Sequence, residues 1–285
     1  MVLYPHAKIN IGLSVTEKRS DGFHNIETVF YPISLCDTLS FKFQVSYPIG
    51  YTCALHEVRG KSLNFEVSGF KSHLDSAENL CCRAYQILAA DYDLPPVNIR
   101  LHKAIPVGAG LGGGSSDAAY TLRALNELCQ LQIPDEKLAQ YASRLGSDCA
   151  FFLQDSPAFG IGKGDILQPL AVSLAGYHIV LIKPSVSVST ANAYSCITPR
   201  KAAYHLPEAL QAPVSEWRNT VFNDFETFVF KKYPETGRIK ETLYHEGAVY
   251  AAMSGSGSCV YGIFEEKPDN IEKLFPGDFI WDGCL

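Results

Sequence analysis

Hydrophobic positions alternate with polar ones along the first stretches of the chain and then give way to helical spacing. Ile9, Ile11, Leu13 and Val15 alternate with Asn10, Gly12 and Ser14, the pattern of a strand with one buried face. Asp21-Gly22 signals a turn, and the aromatic and β-branched run 23–33 predicts a second strand. Phe41, Phe43 and Val45 predict a third, and Leu63, Phe65 and Val67 a fourth. Over 78–90, Leu80, Ala84, Ile87 and Leu88 recur at helical spacing, with Ser76 available as a cap. Val97, Ile99 and Leu101 alternate again before the glycine-rich stretch 106–114. Ser115, Ser116 and Asp117 then open a helix whose apolar positions are Ala118, Leu122, Leu125 and Cys129. Pro134 suits the first position of another helix, Asp135 and Glu136 its first turn, and Gly146 its left-handed stop.

The second half reads differently. A short apolar strand is predicted over 177–182, an interrupted helical region over 199–245, and two strands over 248–253 and 258–264 around Ser254-Gly255-Ser256-Gly257. Gly160, Gly162, Gly164 and Pro169 cluster between the halves, so a boundary is expected there, dividing 1–160 from 161–285. Strands followed by helices in each half predict an α+β fold more than a doubly wound sheet.

Composition narrows the class. With 47% hydrophobic and 19% charged residues the 285-residue chain is too apolar to be disordered. No run approaches the ~18 apolar residues of a membrane span. The net charge of −6 comes without a dense Lys/Arg run, which argues against nucleic acid as a partner. Nine cysteines with no CxxC pair predict reduced, buried thiols in a cytoplasmic protein rather than disulfides or a metal cluster. The first residues carry neither a basic-then-apolar leader nor an Arg/Ser-rich one.

The chemistry is concentrated in Ile105-Pro106-Val107-Gly108-Ala109-Gly110-Leu111-Gly112-Gly113-Gly114-Ser115-Ser116-Asp117. Glycines admit positive φ and let a ligand approach main-chain N–H groups, and the following helix start adds free donors and partial positive charge. Together these features form a phosphate cradle. Gly108, Gly110 and Gly113 satisfy GxGxxG, but the preceding strand alternates with polar residues, unlike a central Rossmann strand. No lysine follows Gly114 as a Walker A loop requires, and no HRD or DFG motif accompanies a protein-kinase loop. A branched side chain at Gly110 is expected to harm nucleotide binding more than folding.

The loop resembles the second motif of the GHMP kinases, Pro-x-Gly-x-Gly-Leu-Gly-Ser-Ser-Ala, lengthened by two glycines. Ala7-Lys8-Ile9-Asn10-Ile11-Gly12-Leu13 is similar to the first motif of one branch. The segment 19–28 resembles its Arg-x-Asp-Gly-Tyr-His-x-Leu-x-Thr, with Phe23 for Tyr. Leu145-Gly146-Ser147-Asp148 matches a Leu-Gly-x-Asp segment, and Ser254-Gly255-Ser256-Gly257 fits the third motif. These stand in family order along nearly the whole chain, while 199–245 carries no motif.

The resemblance implies a two-domain fold: an N-terminal ribosomal-S5-domain-2-like nucleotide domain and a C-terminal ferredoxin-like α/β sandwich. It implies an ATP-dependent kinase with Mg²⁺ accompanying ATP, to which no protein ligand is assigned. The loop 106–116 is expected to hold the phosphates. By itself Asp148 reads as a turn or cap residue more readily than as a base, and Lys8 as readily a surface lysine as a functional one. The resemblance makes them a catalytic pair. Ser115 and Ser116 are helix-capping residues or hydroxyls available to the phosphates or Mg²⁺. Asn10, Phe23 and His24 occupy substrate-side positions, and Tyr194 looks like an aromatic platform for cytosine. The implied acceptor is the CDP-alcohol CDP-methylerythritol, phosphorylated on its 2-hydroxyl in isoprenoid precursor biosynthesis. Homoserine, mevalonate or another small alcohol is the near alternative, and a catalytically inactive nucleotide-binding regulator the distant one.

Overall fold

The computed structural model describes residues 1–43, 56–58, 61–70 and 78–285. Their elements run β1 (Val2–Leu3), β2 (His6–Lys18), β3 (His24–Cys36), β4 (Thr38–Phe43), β5 (His56–Val58), β6 (Lys61–Gly69), α1 (Leu80–Asp91), β7 (Val97–Lys103), α2 (Gly113–Leu128) and α3 (Asp135–Leu145). After a 3₁₀ turn at Phe151–Leu153 come β8 (Ala158–Ile161), β9 (Ile166–Pro169), β10 (His178–Lys183), α4 (Thr190–Ser195), α5 (Leu206–Ala209), α6 (Phe225–Lys232), α7 (Pro234–His245), β11 (Tyr250–Met253), β12 (Val260–Phe264) and β13 (Phe279–Cys284). Val45 and the proposed cap Ser76 lie outside the described residues. The chain packs as two compact units, each assembled from separated stretches.

Residues 1–7, 36–107 and 113–155 form the first unit. Its sheet has the order β1-β4-β7-β6-β5, antiparallel except for the β6–β7 pair. Helices α1, α2 and α3 pack on one another and bury Tyr85, Leu88, Ala118, Leu122 and Leu125 together with Val97, Ile99 and Leu101 of β7. Asn79 caps α1 by accepting from the Cys81 N–H. Pro134 is itself the N-cap of α3, one residue earlier than its sequence suggests. Gly146 ends α3 in extended rather than left-handed backbone, with φ −179°.

Residues 8–35, 108–112 and 156–285 form the second unit. One sheet runs β2-β3-β8-β9. The glycine cluster read as a boundary is the β8–β9 hairpin, pairing Ile161 with Ile166 across a turn in which Gly162 and Gly164 take positive φ. β8 then pairs antiparallel with β3, Thr28 opposite Gly160, which is why β2 and β3 belong with this unit although they precede most of the first one in the chain. The other sheet is antiparallel in the order β11-β12-β10-β13, the strand order of a ferredoxin-like sandwich. Val180, Ile182, Phe225, Val229, Leu243, Met253 and Val260 share one core.

The motif-free stretch 199–245 serves β2. Leu13 N–H donates to Phe222 O, Asp224 N–H to Leu13 O, and Arg200 N–H to Val15 O. The Asp224 carboxylate accepts from Val15 N–H. Leu206 and Val221 pack where a Cβ on Gly12 would stand. β2 is therefore buried over Ala7–Leu13, and the one-faced burial its alternation suggests does not hold. The polar positions in that run, Lys8 and Asn10, are buried as well.

Candidate active site

In the second unit the β2 side chains meet the middle of the glycine loop. The Lys8 ammonium is 3% exposed, and burial of such a charge demands partners. It donates to Asn10 Oδ1 and, at 2.9 Å, to the carbonyl of Gly110. Its backbone N–H donates to Leu111 O. Ser254 Oγ donates to the same Gly110 carbonyl at 2.9 Å and accepts from Asn10 N–H. Asn10 Nδ2 donates to Thr28 Oγ1, whose hydroxyl donates to Gly12 O. Tyr261 OH donates to Asn10 O. The Ser254–Gly257 turn is held by Asn223, whose Nδ2 donates to Met253 O and Gly255 O at 2.7 and 2.8 Å.

Gly108, Gly110 and Gly112 have φ of +66°, +78° and +70°, a region L side chains rarely adopt. A Cβ on Gly110 would collide with the Ser254 carbonyl, whereas one on Gly108 would meet nothing within 4 Å. The expectation for Gly110 is thereby corrected: its missing side chain serves packing as well as any ligand, and Gly108 is the glycine facing open space. Ala109 and Leu111 are buried anchors beside them, and Val107 is exposed.

In the first unit the other end of the loop is the start of α2. The helix begins at Gly113, so Ser115 and Ser116 lie in its first turn and neither is its cap. Ser116 Oγ is buried with no hydrogen-bond partner among the described residues, a polar atom suited to a ligand oxygen. Pro106 is buried and Gly114 exposed. Asp148 is half-buried in the turn that follows Gly146, and its carbonyl accepts from Phe151 N–H. The neighbouring Cys149 thiol interacts with Ser115, and burial pushes its pKa up to about 12. The thiol is thus uncharged.

His24 and Tyr194 lie 170 residues apart in sequence and stack in the second unit with ring centroids 4.9 Å apart and planes 20° from parallel. Ser189 caps α4 and so fixes Tyr194 near its end. Phe225 meets Tyr194 edge-on at 4.9 Å. Burial, with Lys18 nearby, lowers the His24 pKa, favouring a neutral ring. Phe23 is 54% exposed and carries the Lys163 ammonium over its face at 4.8 Å. Among the described residues no helix is long and apolar enough to cross a membrane, and no group of three or more His, Cys, Asp or Glu is placed to hold a metal.

Sequence reasoning singled out Lys8, Asn10 and the loop. It missed Thr28, Asn223 and Ser254 as individual residues. Ser254 was signalled by its Ser-Gly-Ser-Gly motif. Asn223 had no signal, because its role is to hold carbonyls on a distant turn. Of the eight cysteines among the described residues, Cys81, Cys82, Cys149 and Cys259 are buried as expected, while Cys196 and Cys284 are exposed.

Comparison with known proteins identifies the family. The family model described as GHMP kinases N terminal domain matches residues 79–163, and that described as GHMP kinases C terminal matches residues 208–274. A 4-diphosphocytidyl-2-C-methyl-D-erythritol kinase of Bacteroides fragilis is 48% identical over all of this chain and 98% of its own. One of Parabacteroides distasonis is 45% identical over the whole of both. A crystal structure of 4-(cytidine 5'-diphospho)-2C-methyl-D-erythritol kinase superposes with a TM-score of 0.80 at 33% identity, covering 100% of this chain and 99% of that one. The homoserine kinase of Cytophaga hutchinsonii shares the fold alone, with a TM-score of 0.61 at 15% identity over 99% and 95% of the two chains. The chain belongs to the GHMP kinases, on the branch of the 4-diphosphocytidyl-2-C-methyl-D-erythritol kinases.

Proposed function

We propose that the protein transfers the γ-phosphoryl group of ATP to the 2-hydroxyl of 4-diphosphocytidyl-2-C-methyl-D-erythritol, a step of isoprenoid precursor biosynthesis. The observation that carries the reading is the buried Lys8 ammonium bonded to the Gly110 carbonyl, a fixed charge attached to the glycine loop. The relatives above supply the acceptor. Kinases of homoserine and mevalonate share only the fold at 13–15% identity, so the CDP-alcohol is favoured over them.

Phosphoryl transfer requires positioning, charge neutralisation and a destination for the hydroxyl proton. The acceptor oxygen attacks the γ-phosphorus, the bond to the ADP oxygen breaks, and the Asp148 carboxylate takes the hydroxyl proton. Lys8 stabilises the charge on the transferring group and Asn10 orients Lys8. Main-chain N–H groups of 107–114, with Pro106 leading into them, and the hydroxyls of Ser115 and Ser116 hold the phosphates. The orphaned Ser116 Oγ and the open side of Gly108 suit such oxygens. Mg²⁺ enters with ATP as part of that substrate and screens its charge. Lys8, Asn10, residues 108–112 of the loop and Tyr194 belong to the second unit, and Ser115, Ser116 and Asp148 to the first. Both substrates are free nucleotides, which fits a cytoplasmic reaction.

Tyr194 supplies the stacking face for cytosine, with His24 and Phe23 beside it. Three rings in a stack need about 7 Å between the outer two, and His24 stands only 4.9 Å from Tyr194. A base using that face of Tyr194 therefore displaces His24, which turns to the base edge as a hydrogen-bonding partner. The test is ADP release with a panel of alcohols, with and without a cytidine diphosphate group. Turnover of homoserine or mevalonate without turnover of the CDP-alcohol would reject the acceptor and keep the fold.

A further inference from the structure

The first unit contains a buried ion cluster that the chemistry above does not use. The Lys103 ammonium, 7% exposed, pairs with Asp37 and, at 2.7 Å, with Asp117, whose side chains are 0% and 3% exposed. Lys103 ends β7 immediately before the glycine loop, and Asp117 lies in α2 immediately after it. The second oxygen of Asp37 accepts the N–H groups of Ala104 and Ile105 at 2.6 and 2.8 Å. Gly113 closes the arrangement: a Cβ there would stand 2.9 Å from Ile105 Cγ2 and 3.1 Å from Lys103 Nζ. The chain entering the loop and the chain leaving it are thus bonded to the same three charged groups.

We propose that Asp37, Lys103 and Asp117 form a clasp that fixes both ends of the glycine loop, and that these positioning residues set its affinity for the phosphates of ATP. The inference rests on the reading of the loop as the ATP phosphate site. An apolar contact would bury as much surface, but it would not fix direction. An ammonium between two carboxylates holds the β7 end and the α2 start at hydrogen-bond length. Removing the ammonium leaves two buried carboxylates with no cation between them, which the loop ends relieve by parting. A displacement of about 1 Å at a positioning element costs up to ~10²-fold. Gly113 belongs to the same device, because a side chain there would push α2 off Lys103.

The test is the KM for ATP against the KM for the CDP-alcohol, with ATP affinity measured separately by calorimetry. Lys103→Met should raise the ATP values roughly ten- to hundredfold and leave the KM for the alcohol within about twofold. Should that variant not fold, Asp37→Asn with Lys103→Met removes cation and anion together and is read in its place. Asp117→Asn keeps an oxygen for the Lys103 ammonium and should lie closer to wild type than Asp117→Leu, which does not. A folded variant with unchanged ATP affinity overturns the clasp, as does a parallel rise of both KM values that tracks lost thermal stability. If wild-type protein binds ATP but ignores the CDP-alcohol, the acceptor assignment falls and the calorimetric comparison still decides the clasp. If wild type binds no ATP, both are overturned.

Discussion

Lys8 and Asp148 separate two kinds of damage that substitution can do. Asp148→Asn keeps the size of the turn residue and removes its capacity to hold a proton. Turnover should fall ~10²–10⁴-fold, while calorimetry should find ATP binding nearly unchanged. Lys8→Met removes one donor from the Gly110 carbonyl, but Ser254 Oγ still donates to it, so the loop keeps its shape. Its loss of kcat should be comparable, and the double variant should lose far less than the product of the two. Near-wild-type kcat for Asp148→Asn would move the base elsewhere. Tyr194→Ala tests the other end of the acceptor. Loss of a stacking platform costs about 1–3 kcal/mol per base, or roughly ten- to hundredfold in affinity. That loss should fall on the KM for the CDP-alcohol and spare the KM for ATP. Equal weakening of both would put the base pocket in the wrong place.

The glycine loop behaves as an element rather than a row of equivalent glycines. Gly108→Ala puts a methyl group into open space at φ +66°. Its stability cost should be about 1 kcal/mol of backbone strain, and its ATP affinity should drop well beyond that. Gly110→Val drives a side chain into the Ser254 carbonyl and should lower Tm and ATP affinity together. Thermal melts beside ATP titrations of the two variants distinguish the positions, and identical behaviour would remove the distinction. Elements of this kind were readable in the sequence because their residues are local. Alternation located β2 and β7, a short apolar run located β10, helical spacing located α1, α2 and α3, and clustered glycines marked the loop. What escaped depended on distant partners. β2 looked half-buried because nothing in 6–18 announces that 199–224 will cover it. Gly160, Gly162 and Gly164 were read as a boundary, and their place in a hairpin beside β3 was not legible because that strand lies more than a hundred residues upstream. The loop, Lys8 and Asp148 were singled out on local motifs. Asn223 and Thr28 support the site only through tertiary hydrogen bonds.

At the scale of the whole molecule, Asp117 links stability to pH. Burial pushes its carboxyl up to about 7, with Asp37 adding to the rise and Lys103 opposing it. The unfolded chain titrates this group near ~3.9. A folded pKa above the unfolded one means that its contribution is complete below about pH 4 and is lost as pH climbs to about 7. Asp117→Asn cannot ionise, so its Tm should improve relative to wild type between pH 5 and pH 8. A constant offset between the two proteins across that range would show that Asp117 ionises like an exposed carboxyl.

The pairing of β3 with β8 also sets a timetable for the growing chain. Strands β2 and β3 leave the ribosome first, yet the outer edge of β3 is covered only by Ala158–Ile161. Some 120 residues separate the two strands, and at ~5–20 residues per second that interval is roughly 6–24 s of synthesis. Throughout it, Thr28, Val29 and Phe30 present an unpaired ladder of N–H and carbonyl groups, a template for pairing with another chain. Nascent chains stalled before residue 158 should therefore associate with one another, and chains released past Pro169 should not.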